Sequence, residues 1–453
     1  MAKETATLAD YAATLRYEDI PGDVIERAKQ CITDTIATII FGSDLPWSRM
    51  IARFAQSNAP GGNSSILMPG GARVHPPAAA LANGAFAHAF EMDNLTWPNT
   101  GVHPGATLLA PGLAVAQERG NSGRELIAAV VAGAEVMIRI GRATRHRNES
   151  RGFHGPGTTG PFGAATACGR LLKLDGSRMR NALGIAGSLA CGLMEFARSG
   201  TGAMVKRLHL GRAAESGVLA ASLAADGFTG PASVLEGEFG FLRVFCGGEF
   251  DVAELTRELG QSYATRVITL KRFPCHITAH TSVQAILDLR AEHGYGAAEV
   301  SSFHIAGNEK MAGVNNIPSP ADIMMAQYSI PFCVALAHVR DPRDPRSFDE
   351  AALRDPQIRA LASRVKITVA DNPPTPLAAA VTVTLHDGRV LTRSVSDFKG
   401  TPQRPLDEAE LREKFLLLTR HCTADASEMF DRLQNLEREP ALDWIAVRPL
   451  CKG

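Results

Sequence analysis

Two stretches of this 453-residue chain, SGRELIAAVVAGAEVMIRIG (122–141) and HLGRAAESGVLAASLAADG (209–227), have helical spacing and are rich in Ala and Gly. Faces of that kind have no bulky side chains to hold neighbouring helices apart, so they call for closely approaching helices in a large, bundle-like core. PGDVIERAKQCITDTIATIIFG (21–42) adds a longer apolar stripe through Val24, Ile25, Ala28, Cys31, Ile32, Ile36 and Ile39. Pro21 near its start and Gly42 at its end are ordinary helix punctuation.

The pattern changes near residue 262. ATRVITLKRF (264–273) reads as a strand, TAHTSVQAILDLRAEHG (278–294) as a helix and VSSFHIAG (300–307) as a second strand. RVKITVAD, AAVTVTLHDG and RVLTRSV are alternating β-branched runs, with HDGR as a hairpin turn. From about 404 the helical pattern returns in PLDEAELREKFLLLTRH and ASEMFDRLQNLE. The expected fold is mainly α: a large all-helical domain made by both chain ends, residues 1–262 and 404–453, with a smaller α+β domain, 263–403, inserted between them.

The formal charge is zero and no long basic run occurs, which argues against a nucleic-acid partner. No stretch of eighteen consecutive apolar residues suggests a membrane span. Eight scattered cysteines without a CxxC pair read as reduced thiols, and the polar, acidic start resembles no targeting leader. The expected location is the cytoplasm.

Chemistry concentrates in a few places. HAFEMDNLTWPNTGVHPG (88–105) sets Glu91, Asp93 and His103 close together, with Pro104 placed to open a helix and His103 at its cap. The free amides of such a helix start favour an anion. KRLHLGRAAESG brings Lys206, Arg207 and His209 to the start of a helix, and LKRFPCHITAH brings Lys271, Arg272 and His276 to the expected domain junction, where ligand sites are common. Solvated turns are the plain alternative for each cluster. Together they share one chemical sense: cations to hold carboxylates, histidines and acids to move protons. GPGTTG (155–160) fits a dinucleotide fingerprint, but the polar RATRHRNESRGFH before it is no buried strand, so it reads as a turn that positions His154. His276 and His280, four apart, would share a helix face, yet no third ligand stands near enough to make a zinc site. No metal is expected.

These segments in this order, NGAFAHAFEMDN with HPGATLLAPGLAVAQE, then KRLHLGRAAESGVLAASLAADGFTGPASVLEGEFGF, then KRFPCHITAHTSVQAI, resemble the MmgE/PrpD family over nearly the whole chain. That family includes 2-methylcitrate dehydratase, cis-aconitate decarboxylase and iminodisuccinate epimerase. The resemblance implies a helical domain with an α+β lid, a homodimer and no cofactor or metal. It places catalytic roles on Asp93, His103, His154, Lys206 and His276. Glu91, Thr96, Arg207, Lys271 and Arg272 are candidates for holding substrate. EMDNLTW departs from the family's Asp-Asp-Thr run and leaves open whether Glu91 or Asp93 is the acid, and whether Thr96 replaces the family threonine. MAGVNNIPSP has Gly313 where the family's cis-aconitate decarboxylases carry a tyrosine.

The activity expected from this is a cofactor-independent lyase acting beside a carboxylate of a small di- or tricarboxylic acid, with dehydration favoured over decarboxylation. An epimerase or isomerase of a dicarboxylate such as an iminodisuccinate is the alternative, and a non-catalytic small-anion-binding protein a remote one.

Overall fold

The computed structural model describes residues 3–96, 101–197, 203–448 and 450. It is 57% helical with one small sheet, which makes the chain mainly α with a small α+β portion. The small-residue faces do what their sequence requires. Helix Val205–Ala225 lies against Pro76–Ala87 and Gly155–Leu171. A Cβ on Gly211 would run into the Leu81 carbonyl, and one on Gly217 into Ala164. Close backbone approach is therefore fixed at two points along one helix. Gly123–Thr144 packs on Gly155–Leu171 in the same core and opens with a capping box between Ser122 and Glu125.

The four-stranded sheet runs Val365–Val369, Val300–Gly307, Ala379–Leu385, Val390–Val395. Its first pair is parallel and the other two antiparallel. Residues 379–385 alternate between buried and half-buried, as a strand covered on one face should. Helix His280–His293 packs on the two final strands. The turn at 386–389 closes the expected hairpin, with Gly388 at a φ of 89°.

Four expectations need correction. Residues 264–273 form no strand: Ala264–Val267 is a short 3-10 turn, and pairing is limited to one bridge between Thr269 and Leu95. Arg27 binds the Ile268 carbonyl, taking an acceptor that a ladder would use. GPGTTG is not a turn before a helix but its first turns, since the helix starts at Gly155. His276 and His280 share no helix face, because His276 caps the 3-10 turn Ile277–Ala279 and the α-helix starts at His280. The N-terminal half also holds a small hairpin, Pro60–Ser65 with Arg73–Val74, whose Gly-rich sequence carries no strand signal.

Among the described residues no helix is long and apolar enough to cross a membrane. The seven described cysteines form no disulfide.

The C-terminal helix Glu408–Thr419 returns to pack on Gly22–Ser43. Its Lys414 is buried, pairs with buried Asp34, and donates to the carbonyls of Lys271 (2.6 Å) and Met92 (3.3 Å). One ammonium thus ties both chain ends to two loops. Lys414→Met should destabilise the protein by about 3–5 kcal/mol in urea melts, because Asp34 is left as an uncompensated buried charge. Adding Asp34→Asn should recover much of that loss. A single variant as stable as the parent would show that the tie is unimportant.

Candidate active site

The loop that follows helix Pro76–Ala87 carries most of the chemistry. Asn94 anchors it, bonding Thr35 Oγ1 (2.9 Å), Asp34 (3.2 Å) and the Gly105 amide (2.8 Å). That last bond occupies an amide of the helix begun by Pro104, so this start is not the open anion site its sequence suggests. The loop turns through Glu91, which has a φ of 58°, a left-handed conformation uncommon outside glycine. The turn sends the Glu91 side chain into the interior, where it is 3% exposed.

Two ammonium groups meet Glu91 there. Lys206, in the first turn of helix Val205–Ala225, pairs with Oε1, and Lys271 lies 2.9 Å from Oε2. Burial pushes Lys206 well below the ordinary lysine range, and Arg207, Lys271 and Lys310 add like-charge repulsion. Burial lowers Lys271 as well. Glu91, in direct contact with both, is the counter-charge that opposes these shifts.

Asp93 is fully buried and accepts from two imidazoles at one oxygen, His88 Nδ1 at 2.8 Å and His103 Nδ1 at 2.7 Å. Burial disfavours its anion, but the two histidines outweigh burial and hold Asp93 well below the usual carboxylate range. Its other oxygen and His88 Nε2 are buried with no partner among the described residues. The His88 ring lies 4.9 Å from that of His103 and 6.0 Å from that of His154. His154, at the cap of helix Gly155–Leu171, meets His209 Nδ1 at 3.1 Å. Burial, then neighbouring histidines, push His154 well below its ordinary value, so it is neutral at pH 7 rather than poised near neutrality.

His276 reaches this cluster through Tyr328, whose ring is 4.9 Å from His276 and 5.2 Å from the Lys206 ammonium. The structure therefore brings together Glu91, Asp93, His103, His154, Lys206, Lys271 and His276. Three other candidates take no part in these hydrogen bonds and ion pairs, although Arg207 is near enough to repel Lys206. Arg207 stacks over Trp47 and reaches the Ala89 and Ala203 carbonyls. Arg272, on the opposite side of the chain from Lys271, faces Glu410 at 3.8 Å. Thr96 pairs through its backbone with Val102 and lines a cavity of about 370 Å³ with Arg142, Thr269 and Asp397, outside the histidine cluster.

His88 and Tyr328 are the residues that sequence reasoning missed. His88 heads the same quoted segment as Glu91 and Asp93, and its spacing of five from Asp93 was the available signal. Tyr328 had none. His88, Asp93 and His103 are the one three-residue group among the described residues with the donors and spacing to hold a metal ion. Both Nδ1 atoms are already spent on hydrogen bonds to the same Asp93 oxygen.

The arrangement sets imidazoles and a carboxylate that can exchange protons beside two lysines. The model of the MmgE/PrpD N-terminal domain matches residues 6–253, and that of the MmgE/PrpD C-terminal domain matches residues 273–437. The chain belongs to the MmgE/PrpD family. A relative named cis-aconitate decarboxylase from Aspergillus terreus is 30% identical, over 96% of this chain and 93% of its own. The Homo sapiens protein of that name is 28% identical, over 99% and 90%.

The buried histidines give the protein an acid-sensitive fold. Burial pushes His88 and His154 well below the ordinary 6.5, so the unfolded chain takes up protons there before the folded one does. Stability present above about pH 6.5 is then lost as pH falls, by up to about 1.4 kcal/mol per pH unit for each such group. The melting temperature should drop between pH 7 and pH 5, and His154→Gln should flatten that slope. A melting temperature constant across this range would show that the histidines protonate freely in the folded protein.

Proposed function

We propose that this protein is a lyase that breaks a bond at the carbon beside a carboxylate of a small di- or tricarboxylic acid, without a cofactor or metal. The observation that carries this is the placement of the Asp93–His88–His103 array in one site with the ammonium pair held by Glu91. Breaking a bond at that carbon puts an electron pair in conjugation with a carboxylate. Fixed ammonium groups that need no reorganisation stabilise this charge.

Loss of CO2 is the favoured reaction, supported by the names of relatives that match over 93% and 90% of their own length. It replaces the sequence-based preference for dehydration. In this step the bond to the leaving carboxylate breaks, its electron pair passes toward the remaining carboxylate beside Lys206 and Lys271, and a proton is delivered to carbon. Asp93, kept ionised, orients His103 and stabilises the imidazolium that exchanges this proton, as the carboxylate does in a catalytic triad. His103 suits the task because it is the partly exposed imidazole on Asp93. Elimination of water is a second reading, favoured by Gly313, which offers no side chain where the family's cis-aconitate decarboxylases carry a phenol.

Proton NMR in deuterated water with cis-aconitate and 2-methylcitrate as probes separates these readings. Carbon dioxide release with deuterium entering the product is expected. Water loss alone would support the second reading, and no turnover or exchange with a wider set of polycarboxylates would reject both. Lys206→Met should lower turnover by roughly a hundred- to a thousandfold. Because Lys206 is buried against Glu91, the variant will also lose stability, so Glu91→Gln/Lys206→Met serves as its folded control. Turnover within twofold of the parent in either variant would remove Lys206 from the chemistry. Exhaustive chelation should leave activity unchanged, whereas loss restored by one added metal would assign an ion to His88, Asp93 and His103.

A further inference from the structure

Tyr328 ends the short helix Ile323–Tyr328 and is held from several directions. The adjacent Gln327 side chain donates to the Phe90 carbonyl (2.9 Å) and the Pro274 carbonyl (3.0 Å), so it is stitched to both loops of the site. The Gln327 carbonyl accepts the His276 amide at 2.8 Å. Asn315 Nδ2 donates to the Tyr328 carbonyl at 2.9 Å, while its Oδ1 accepts from Thr278 Oγ1 at 3.0 Å. Thr278 Oγ1 in turn meets His276 Nδ1 at 2.8 Å. This loop of bonds fixes the phenol ring against the His276 ring and under the Lys206 ammonium.

The ring makes these contacts, and the hydroxyl has no hydrogen-bond partner among the described residues. Tyr328 is half-buried, whereas Lys206, Lys271, Glu91 and Asp93 are buried. A partly exposed tyrosine whose ring is locked beside an ammonium, and whose hydroxyl has no partner among the described residues, is placed to meet an anion. Burial raises Tyr328 to about 12, so its proton is retained at neutral pH.

We propose that Tyr328 is a substrate-binding and specificity residue whose hydroxyl donates a hydrogen bond to a substrate carboxylate held beside Lys206. This rests on the polycarboxylate reading above. It assigns the phenol to ground-state recognition, distinct from the proton transfer given to Asp93 and His103.

The test is Tyr328→Phe, which keeps the ring and its contacts with His276 and Lys206 and removes only the hydroxyl. Binding of tricarballylate, an unreactive tricarboxylate, is measured by calorimetry below the melting temperature of each protein, alongside steady-state kinetics with cis-aconitate. The Kd for tricarballylate should rise by roughly ten- to a hundredfold, the loss of a hydrogen bond to a charged group. KM should rise in parallel with kcat within about threefold, since uniform binding is what has been removed. A merely structural tyrosine would shift the melting temperature and leave Kd and KM in place. Kd and KM within twofold of the parent overturn the proposal, as does a fall in kcat alone, which would move the phenol to the transition state. A parent protein that neither binds tricarballylate nor turns over any polycarboxylate overturns the functional reading and this inference together. An effect missing only from the variant overturns the inference and leaves the reading intact.

Discussion

The carboxylate of Glu91 lets two lysines share one buried volume. Without it, Lys206 and Lys271 would stand close together, out of water, and at least one would shed its proton. With it, each ammonium has a counter-charge in direct contact. The cost is visible in the backbone, since Glu91 has to adopt a left-handed conformation to turn its side chain inward. Strain of this kind persists where the surrounding structure over-determines it. Here Thr35, Lys414 and Gln327 each bond the loop from a different part of the chain.

This arrangement divides the labour between two carboxylates only two residues apart. Glu91 faces cations and acts as a fixed counter-charge, while Asp93 faces imidazoles and governs protons. Their neighbours, rather than their spacing, are the ground on which we assign the working acid's role to Asp93. The remaining histidines are kept neutral by burial, so positive charge is concentrated at the lysines, where an anionic substrate can use it. His103, His209, His276 and Tyr328 are the half-buried members, and we infer that an anionic substrate arrives past them.

Much of this was legible in the sequence because it depends on local pattern. The Ala/Gly helix faces, the hairpin at HDGR and the strands after residue 300 follow from periodicity and turn chemistry. So does the return of helix after 404, whose Lys414 then reaches Asp34 some 380 positions earlier. The failures have a different origin. The 264–273 segment has strand-like residues, but Arg27 takes a carbonyl it would need for pairing. Arg272 and Lys271 look equivalent in sequence, and only the alternation of an extended segment sends one inward and the other to Glu410. Tyr328 was illegible because its role comes from contacts with residues more than fifty positions away. The pull of His154 away from neutrality comes from burial, which one-dimensional spacing does not record.

The most direct test of the account is Glu91→Gln, assayed for polycarboxylate turnover and for tricarballylate binding at pH 7. If Glu91 keeps Lys206 and Lys271 charged and placed, the isosteric amide should weaken binding and reduce kcat/KM by about a hundredfold or more, in the range found when fixed electrostatic stabilisation is lost. If Glu91 merely competes with the substrate for the lysines, removing its charge should tighten binding and leave turnover equal or higher. That second result would contradict the account.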